Sequence, residues 1–266
     1  MSRLADCFET LKVDNRAALA IYLVAGDPAQ ALTVPLMHQV VASGASIIEL
    51  GVPFSDPEAD GPVVQAGAER ALANGTRLVD VLEMVRQFRQ QDKVTPVVLM
   101  GYLNPIERMG YETFAAGCAD VGVDGTITVN LPAEEAADLD RALIAKGVDP
   151  IYLLSPTTSL ERARKICDAS RGFIYYVSLK GVTGAGTLDV GEVDKRLQEF
   201  NAMTDLPICV GFGIKDAETA ARIAEIAQGV VIGSAAVSIV GQLANQPAQI
   251  AGELGQWVAS IRSAMD

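Results

Sequence analysis

A chain of 266 residues, half of them apolar, can bury a large core, and a single α/β barrel of this length is common. The net charge of −12, with acids spread along the chain, argues against nucleic acid and anionic membranes as partners; any phosphate must be met locally, by backbone N–H groups and helix starts. One histidine (His38) and four scattered cysteines (Cys7, Cys118, Cys167, Cys209) give no metal-ligand spacing and no GxSxG-supported triad, so the cysteines read as small buried residues of a reducing compartment.

In chain order, residues 1–12 are mixed and charged rather than basic then apolar. They predict an extra helix against the barrel bottom, not a signal peptide, and with no stretch long enough for a membrane span the expected location is the cytoplasm. Apolar runs rich in β-branched residues then recur at 19–24, 46–50, 96–101, 125–129, 150–154, 173–177, 207–211 and 230–233. Their unbroken apolar character suits parallel strands covered on both faces. Helix-period segments separate them at 28–43, 77–91, 111–121, 133–146, 159–170, 190–203, 217–227 and 246–263, with a further helix expected at 62–74. Pro28 is expected in a first helical turn, Asp216 as an N-cap and Gly147 just past a helix end. Eight strand–helix units over 1–266 predict one (β/α)8 TIM barrel domain. An open doubly wound sheet is the rival, but it wants a GxGxxG fingerprint after the first strand, where the chain has Ala25-Gly26-Asp27-Pro28.

Barrel active sites lie at the C-terminal ends of the strands. There Glu49 interrupts the apolar run Ile47-Ile48-Glu49-Leu50, and Asp60 ends a loop punctuated by Pro53, Pro57 and Gly61. Two carboxylates in different surroundings can be driven to different pKa values, one serving as acid and one as base. A structural Glu paired to backbone or tyrosine, beside a loop of solvated acids, is the plainer alternative. Gly184, Gly213, Gly233 and Ser234, in the loops after the last three strands, form a candidate phosphate site, although each glycine also suits a tight turn.

Several stretches in order resemble the tryptophan synthase α-subunit family. They are Gly26-Asp27-Pro28, Glu49-Leu50-Gly51-Val52-Pro53-Phe54-Ser55-Asp56-Pro57 with Ala59-Asp60-Gly61-Pro62, Gly101-Tyr102 with Asn104-Pro105, Gly181-Val182-Thr183-Gly184, Gly211-Phe212-Gly213-Ile214 and Gly233-Ser234. The resemblance implies a lyase of tryptophan biosynthesis that cleaves indole-3-glycerol phosphate by a retro-aldol reaction to indole and glyceraldehyde 3-phosphate. By the family pattern Glu49 protonates indole C3, Asp60 orients the indole N–H, and Tyr175 stands near Glu49; the base at the glycerol hydroxyl stays open, with Glu49 one candidate. Tyr22, Met100, Ile127, Val129 and Leu153 match positions lining the indole pocket, and Thr183 sits in a closing loop. The family also implies no cofactor in this chain and a pyridoxal-phosphate β-subunit partner in an αββα assembly. Pro53, Asp56 and Asn104 would belong to that interface.

Two residues depart from the family pattern. Glu58 stands at a usually apolar position, adding a carboxylate to the loop. Asn130 stands where the family usually has Asp, and its neutral side chain is expected to weaken coupling or a local hydrogen bond. Two other functions compete: a Schiff-base aldolase using Lys180, which lies several residues past strand six, and a non-catalytic barrel that only binds its partner.

Overall fold

The computed structural model describes residues 2–178, 189–211, 213–214 and 216–266. Its elements run α1 (Arg3–Val13), β1 (Ala18–Val24), α2 (Gln30–Ala42), β2 (Ile47–Gly51), α3 (Pro62–Ala73), α4 (Leu78–Phe88), β3 (Val97–Gly101), α5 (Leu103–Met109), α6 (Tyr111–Val121) and β4 (Gly125–Thr128). A short 3-10 turn (Ala133–Glu135) leads into α7 (Ala137–Ala145), followed by β5 (Asp149–Pro150), β6 (Leu153–Leu154), α8 (Leu160–Ala169), β7 (Ile174–Val177), α9 (Val190–Asn201), β8 (Ile208–Gly211), α10 (Ala217–Ala224), β9 (Gly229–Ile232), α11 (Ser234–Gln242) and α12 (Pro247–Met265).

All strand pairs are parallel, in the order β5-β4-β3-β2-β1-β9-β8-β7-β6. The two ends of that order are halves of one barrel strand. The Ile151 N–H reaches Thr126 on the β4 side, and the Tyr175 N–H of β7 reaches the Tyr152 carbonyl. The predicted fifth strand, 150–154, is thus split: its first half pairs only with β4 and its second only with β7. With the halves joined, eight barrel strands close the ring as expected.

Alternation along the strands sorts side chains to two cores. Leu19, Ile21, Leu23, Ile48, Leu50, Leu99, Tyr176, Val210 and Ile232 face the surrounding helices. Ala18, Ala20, Ile47, Val98, Ile127, Ile151, Phe173, Tyr175, Cys209 and Val231 point into the barrel. Leu4, Phe8 and Leu11 of α1 join that interior cluster, so the predicted extra helix does close the barrel's N-terminal end.

That end is fastened by charge. The buried Asp124 carboxylate accepts from Arg89 Nη2 at 2.8 Å, from Arg3 Nη1 of α1 at 2.9 Å and from the Val97 N–H at 2.8 Å. Removing one partner of such a buried pair strands the other charge. Asp124→Ala is therefore expected to lower unfolding stability by about 3–5 kcal/mol. A urea midpoint equal to the parent's would contradict this.

The predicted helix ends hold in part. Asp216 caps α10 by accepting from the Thr219 N–H at 2.9 Å, and Gly147 follows α7 at φ +73°. Pro28, however, lies outside α2, which begins at Gln30. The Asp27 carboxylate is taken by Arg70 of α3, at 2.7 and 2.8 Å, and the Pro28 carbonyl by Asn74, so this turn is held to α3 instead of opening a helix. Helices α5 and α11 lie outside the predicted set. Among the described residues no helix is long and apolar enough to cross a membrane.

Candidate active site

The strand register places Glu49 on the inward row of β2, opposite Tyr22 on β1 and Val98 on β3. It is 3 % exposed, and its Oε1 is buried without a hydrogen-bond partner. Burial, with a smaller contribution from the charge of Asp60, pushes the Glu49 carboxyl up to about 8. At neutral pH it holds its proton, as a general acid must. An ionised structural Glu would have partners for both oxygens, so the plainer alternative does not fit this carboxyl.

Asp60 sits in a different setting. It precedes Gly61, the N-cap of α3, and Pro62 at that helix's first position. Its Oδ2 accepts from the Tyr102 hydroxyl at 3.0 Å, and its backbone carbonyl accepts from Gln65 Nε2 at 2.8 Å. Burial raises its pKa above the ordinary value, while the Tyr102 hydrogen bond works in the opposite direction. The two carboxyls thus differ in kind: one unpartnered and protonated, one hydrogen-bonded by a neutral donor.

Tyrosines crowd the inner wall beside them. Tyr22 and Tyr175 are both buried, and burial together with nearby carboxylate charge pushes both phenols well above their ordinary range. Each ring passes over a glycine of the adjacent strand: a Cβ on Gly51 would lie 2.1 Å from the Tyr22 hydroxyl oxygen, and one on Gly211 would lie 2.3 Å from that of Tyr175. These glycines are therefore needed for clearance. Met100, Ile127, Val129 and Leu153 complete the apolar wall, all packed on the interior cluster. Tyr22, Met100, Ile127, Val129, Leu153 and Tyr175 thus share the barrel interior with Glu49.

Past β1 on the rim, Gly213 follows β8 at φ +78°, and Gly233, beside Tyr22, is the N-cap of α11 with no side-chain capping bond. Ser234, the first residue of α11, is exposed. A helix start with uncapped N–H groups beside a positive-φ glycine suits an anion. Thr183, Gly184 and Lys180 lie outside the described residues.

The loop after β2 carries the other expected surface. Pro53 is buried, whereas Asp56, Glu58 and Asn104 are exposed. The Ser55 hydroxyl donates to Asp56 at 2.8 Å. Phe54, Asp56, Pro57, Glu58, Gln65 and Glu69 border a cleft of about 430 Å³. A larger cavity, about 1030 Å³, opens at the opposite end of the barrel beside Phe8, Lys12, Arg16 and Asp205, and none of the mouth residues line it.

Asn130 takes part in the start of α5. Its Oδ1 accepts from the Leu103 N–H at 2.8 Å, so the local hydrogen bond at the start of α5 is made by the amide. Tyr102, Gln65, Gly51 and Gly211 are the site contributors that sequence reasoning left without a role. Tyr102 belongs to a quoted family stretch, and only its position at a strand end marked it. The cysteines are free, three of them buried. His38 packs on Phe88, ring centroids 4.7 Å apart, with α2 and α4 outside the barrel wall.

The sequence model of a family described as "Tryptophan synthase alpha chain" matches residues 8–265. The tryptophan synthase alpha chain of Thioalkalivibrio sulfidiphilus is 55 % identical over 266 residues, covering 100 % of both chains. The crystal structure of tryptophan synthase subunit alpha from Legionella pneumophila str. Paris superposes with a TM-score of 0.93 at 45 % identity, covering 100 % of this chain and 99 % of that one. A chain of Mycobacterium tuberculosis tryptophan synthase superposes at 0.89 with 34 % identity, covering 99 % and 98 %.

Proposed function

The chain belongs to the tryptophan synthase alpha chain family, and from that premise we propose how its residues divide the work. The family's activity is the lyase reaction that splits indole-3-glycerol phosphate into indole and glyceraldehyde 3-phosphate in tryptophan biosynthesis, with no cofactor in this chain. Glu49 delivers its proton to indole C3, and positive charge develops on the ring nitrogen. Asp60 accepts the indole N–H and stabilises that charge. The Glu49 carboxylate then takes the proton of the adjacent glycerol hydroxyl. The C–O bond becomes C=O, the C–C bond breaks, and its electron pair returns to the indole ring. Glu49 ends protonated, as it began.

The observation that carries this reading is the contrast between the two carboxyls: an unpartnered, solvent-shielded Glu49 and a loop Asp60 engaged by a phenol. Tyr175, buried and within the field of Glu49, borders the glycerol chain; Tyr22, Met100, Ile127, Val129 and Leu153 receive the indole ring. Gly213, Gly233 and Ser234, with Gly184, bind the phosphate through backbone N–H groups, and Thr183 closes the site. Residues 1–266 act as one barrel domain in the cytoplasm.

An alpha chain of tryptophan synthase implies a β-subunit partner. We assign Asp56 and Asn104 to that contact, both exposed beside the mouth, with buried Pro53 shaping the loop behind them. The assembly is αββα, the partner carrying pyridoxal phosphate. Indole release from indole-3-glycerol phosphate tests the reading: slow for the chain alone, strongly stimulated by added β subunit. No release from folded protein in either case would overturn it. The pH profile of kcat/KM should be bell-shaped. Its acid limb is the protonation of Asp60, and its basic limb, near pH 8, is the loss of the Glu49 proton. A profile still rising at pH 9 would remove Glu49 as the acid.

A further inference from the structure

Two loops at the mouth meet at one side chain, and a third holds the residue that follows it. Tyr102 follows β3 and is the N-cap residue of α5. It is 4 % exposed, and its ring stacks on Phe54 of the β2 loop, with centroids 5.3 Å apart and planes 27° apart. The next residue, Leu103, is anchored by Asn130 beyond β4. Ring and backbone are therefore both fixed before the hydroxyl does anything.

The hydroxyl makes two bonds. It accepts the Ala59 N–H at 3.0 Å and donates its proton to Asp60 Oδ2 at 3.0 Å. The accepted bond sets the hydroxyl's polarity, because a phenol with its lone pair taken by an N–H directs its own hydrogen at the carboxylate. With Oδ2 engaged, Oδ1 is the oxygen left for a substrate N–H. Among the described residues, the other titratable groups whose charge couples to Asp60 are Glu49 on β2, Tyr22 on β1 and Tyr175 on β7. None of them carries a positive charge, so among the described residues no cation offsets the burial of the Asp60 anion.

We propose that Tyr102 is a positioning residue for the cleavage reaction: its hydroxyl holds Asp60 as an oriented anion, one oxygen occupied and the other aimed at the substrate. The proposal rests on the reading of Asp60 as the acceptor of the indole N–H. Because the same residue is the N-cap of α5, which carries Asn104, it also ties the partner-facing helix directly to the reacting group.

The test compares the full chain with Tyr102→Phe, Asp60→Asn and the double variant, each assayed with β subunit for indole release across pH. Phenylalanine keeps the ring on Phe54 and removes only the hydroxyl. A hydrogen bond to a charged group is worth about a tenfold to hundredfold change in equilibrium. Tyr102→Phe should lower kcat/KM by about that factor near the acid limb. It should also move that limb about one pH unit upward, since an anion without its donor takes up a proton more readily. In the Asp60→Asn background the same change should add almost nothing. An unmoved acid limb, or an equal loss with and without Asp60, would make Tyr102 a merely structural residue and overturn the proposal while leaving the Asp60 reading intact. Wild-type turnover in Asp60→Asn would overturn both.

Discussion

Glu49→Gln should abolish cleavage and, at alkaline pH, make the protein more stable. The amide keeps the shape of the protonated carboxyl but has no proton to give to indole C3. The expected loss is about two to four orders of magnitude in kcat, the scale for a general acid that also serves as base. Stability moves the other way for a physical reason. The folded-state pKa of Glu49, about 8, lies above the unfolded value of 4.5. Folded protein therefore holds a proton that unfolded protein releases between those values, and the wild type loses stability as pH rises through that window. Below it, acid and amide are both neutral and equivalent. Above it, the wild type must bury an unpartnered anion and the variant need not, a difference of about 3–5 kcal/mol. Urea midpoints at pH 5 and pH 9 read this directly. A variant whose offset is the same at both pH values would show that Glu49 is not buried as a proton carrier.

Asp60→Asn should cost about two to three orders of magnitude in kcat, through the loss of the negative charge facing the ring nitrogen as it turns cationic. Folding should change little, since burial already disfavours the Asp60 anion and Asn can still accept from Tyr102. A second effect separates this variant from a general disturbance of the loop. The charge of Asp60 contributes to the raised pKa of Glu49. Without it the basic limb of residual activity should move to lower pH, yet stay well above the ordinary carboxylate range because burial is the larger cause. Turnover like that of the parent would show that the indole N–H finds its acceptor elsewhere.

How much of this was legible in the sequence differs from residue to residue. The barrel strands declare themselves because each is buried on both faces, so hydrophobicity is continuous along the run. Glu49 stands out against that background by being the one acid in such a run, and the order of quoted motifs identified the family that the comparisons then showed. The same periodicity could not reveal α5. It is only seven residues long and begins Leu103-Asn104-Pro105, a turn-like sequence; it is helical because Asn130 holds its start and Ile106 packs into the core. The Tyr102–Asp60 bond spans 42 residues and exists only once β2 and β3 lie side by side. Pro28 misled for a similar reason: Arg70, distant in sequence, occupies the Asp27 carboxylate that local rules assign to a helix start.

Helix α1 has a bearing on traffic. With Leu4, Phe8 and Leu11 seated in the interior cluster, the barrel is a cup with a floor. A small apolar product such as indole crosses thin apolar layers readily, and a barrel open at both ends would lose it in two directions. Here anything formed beside Glu49 leaves by the rim it entered, the same rim on which Asp56 and Asn104 are exposed. The direction in which product leaves is built into the vessel itself.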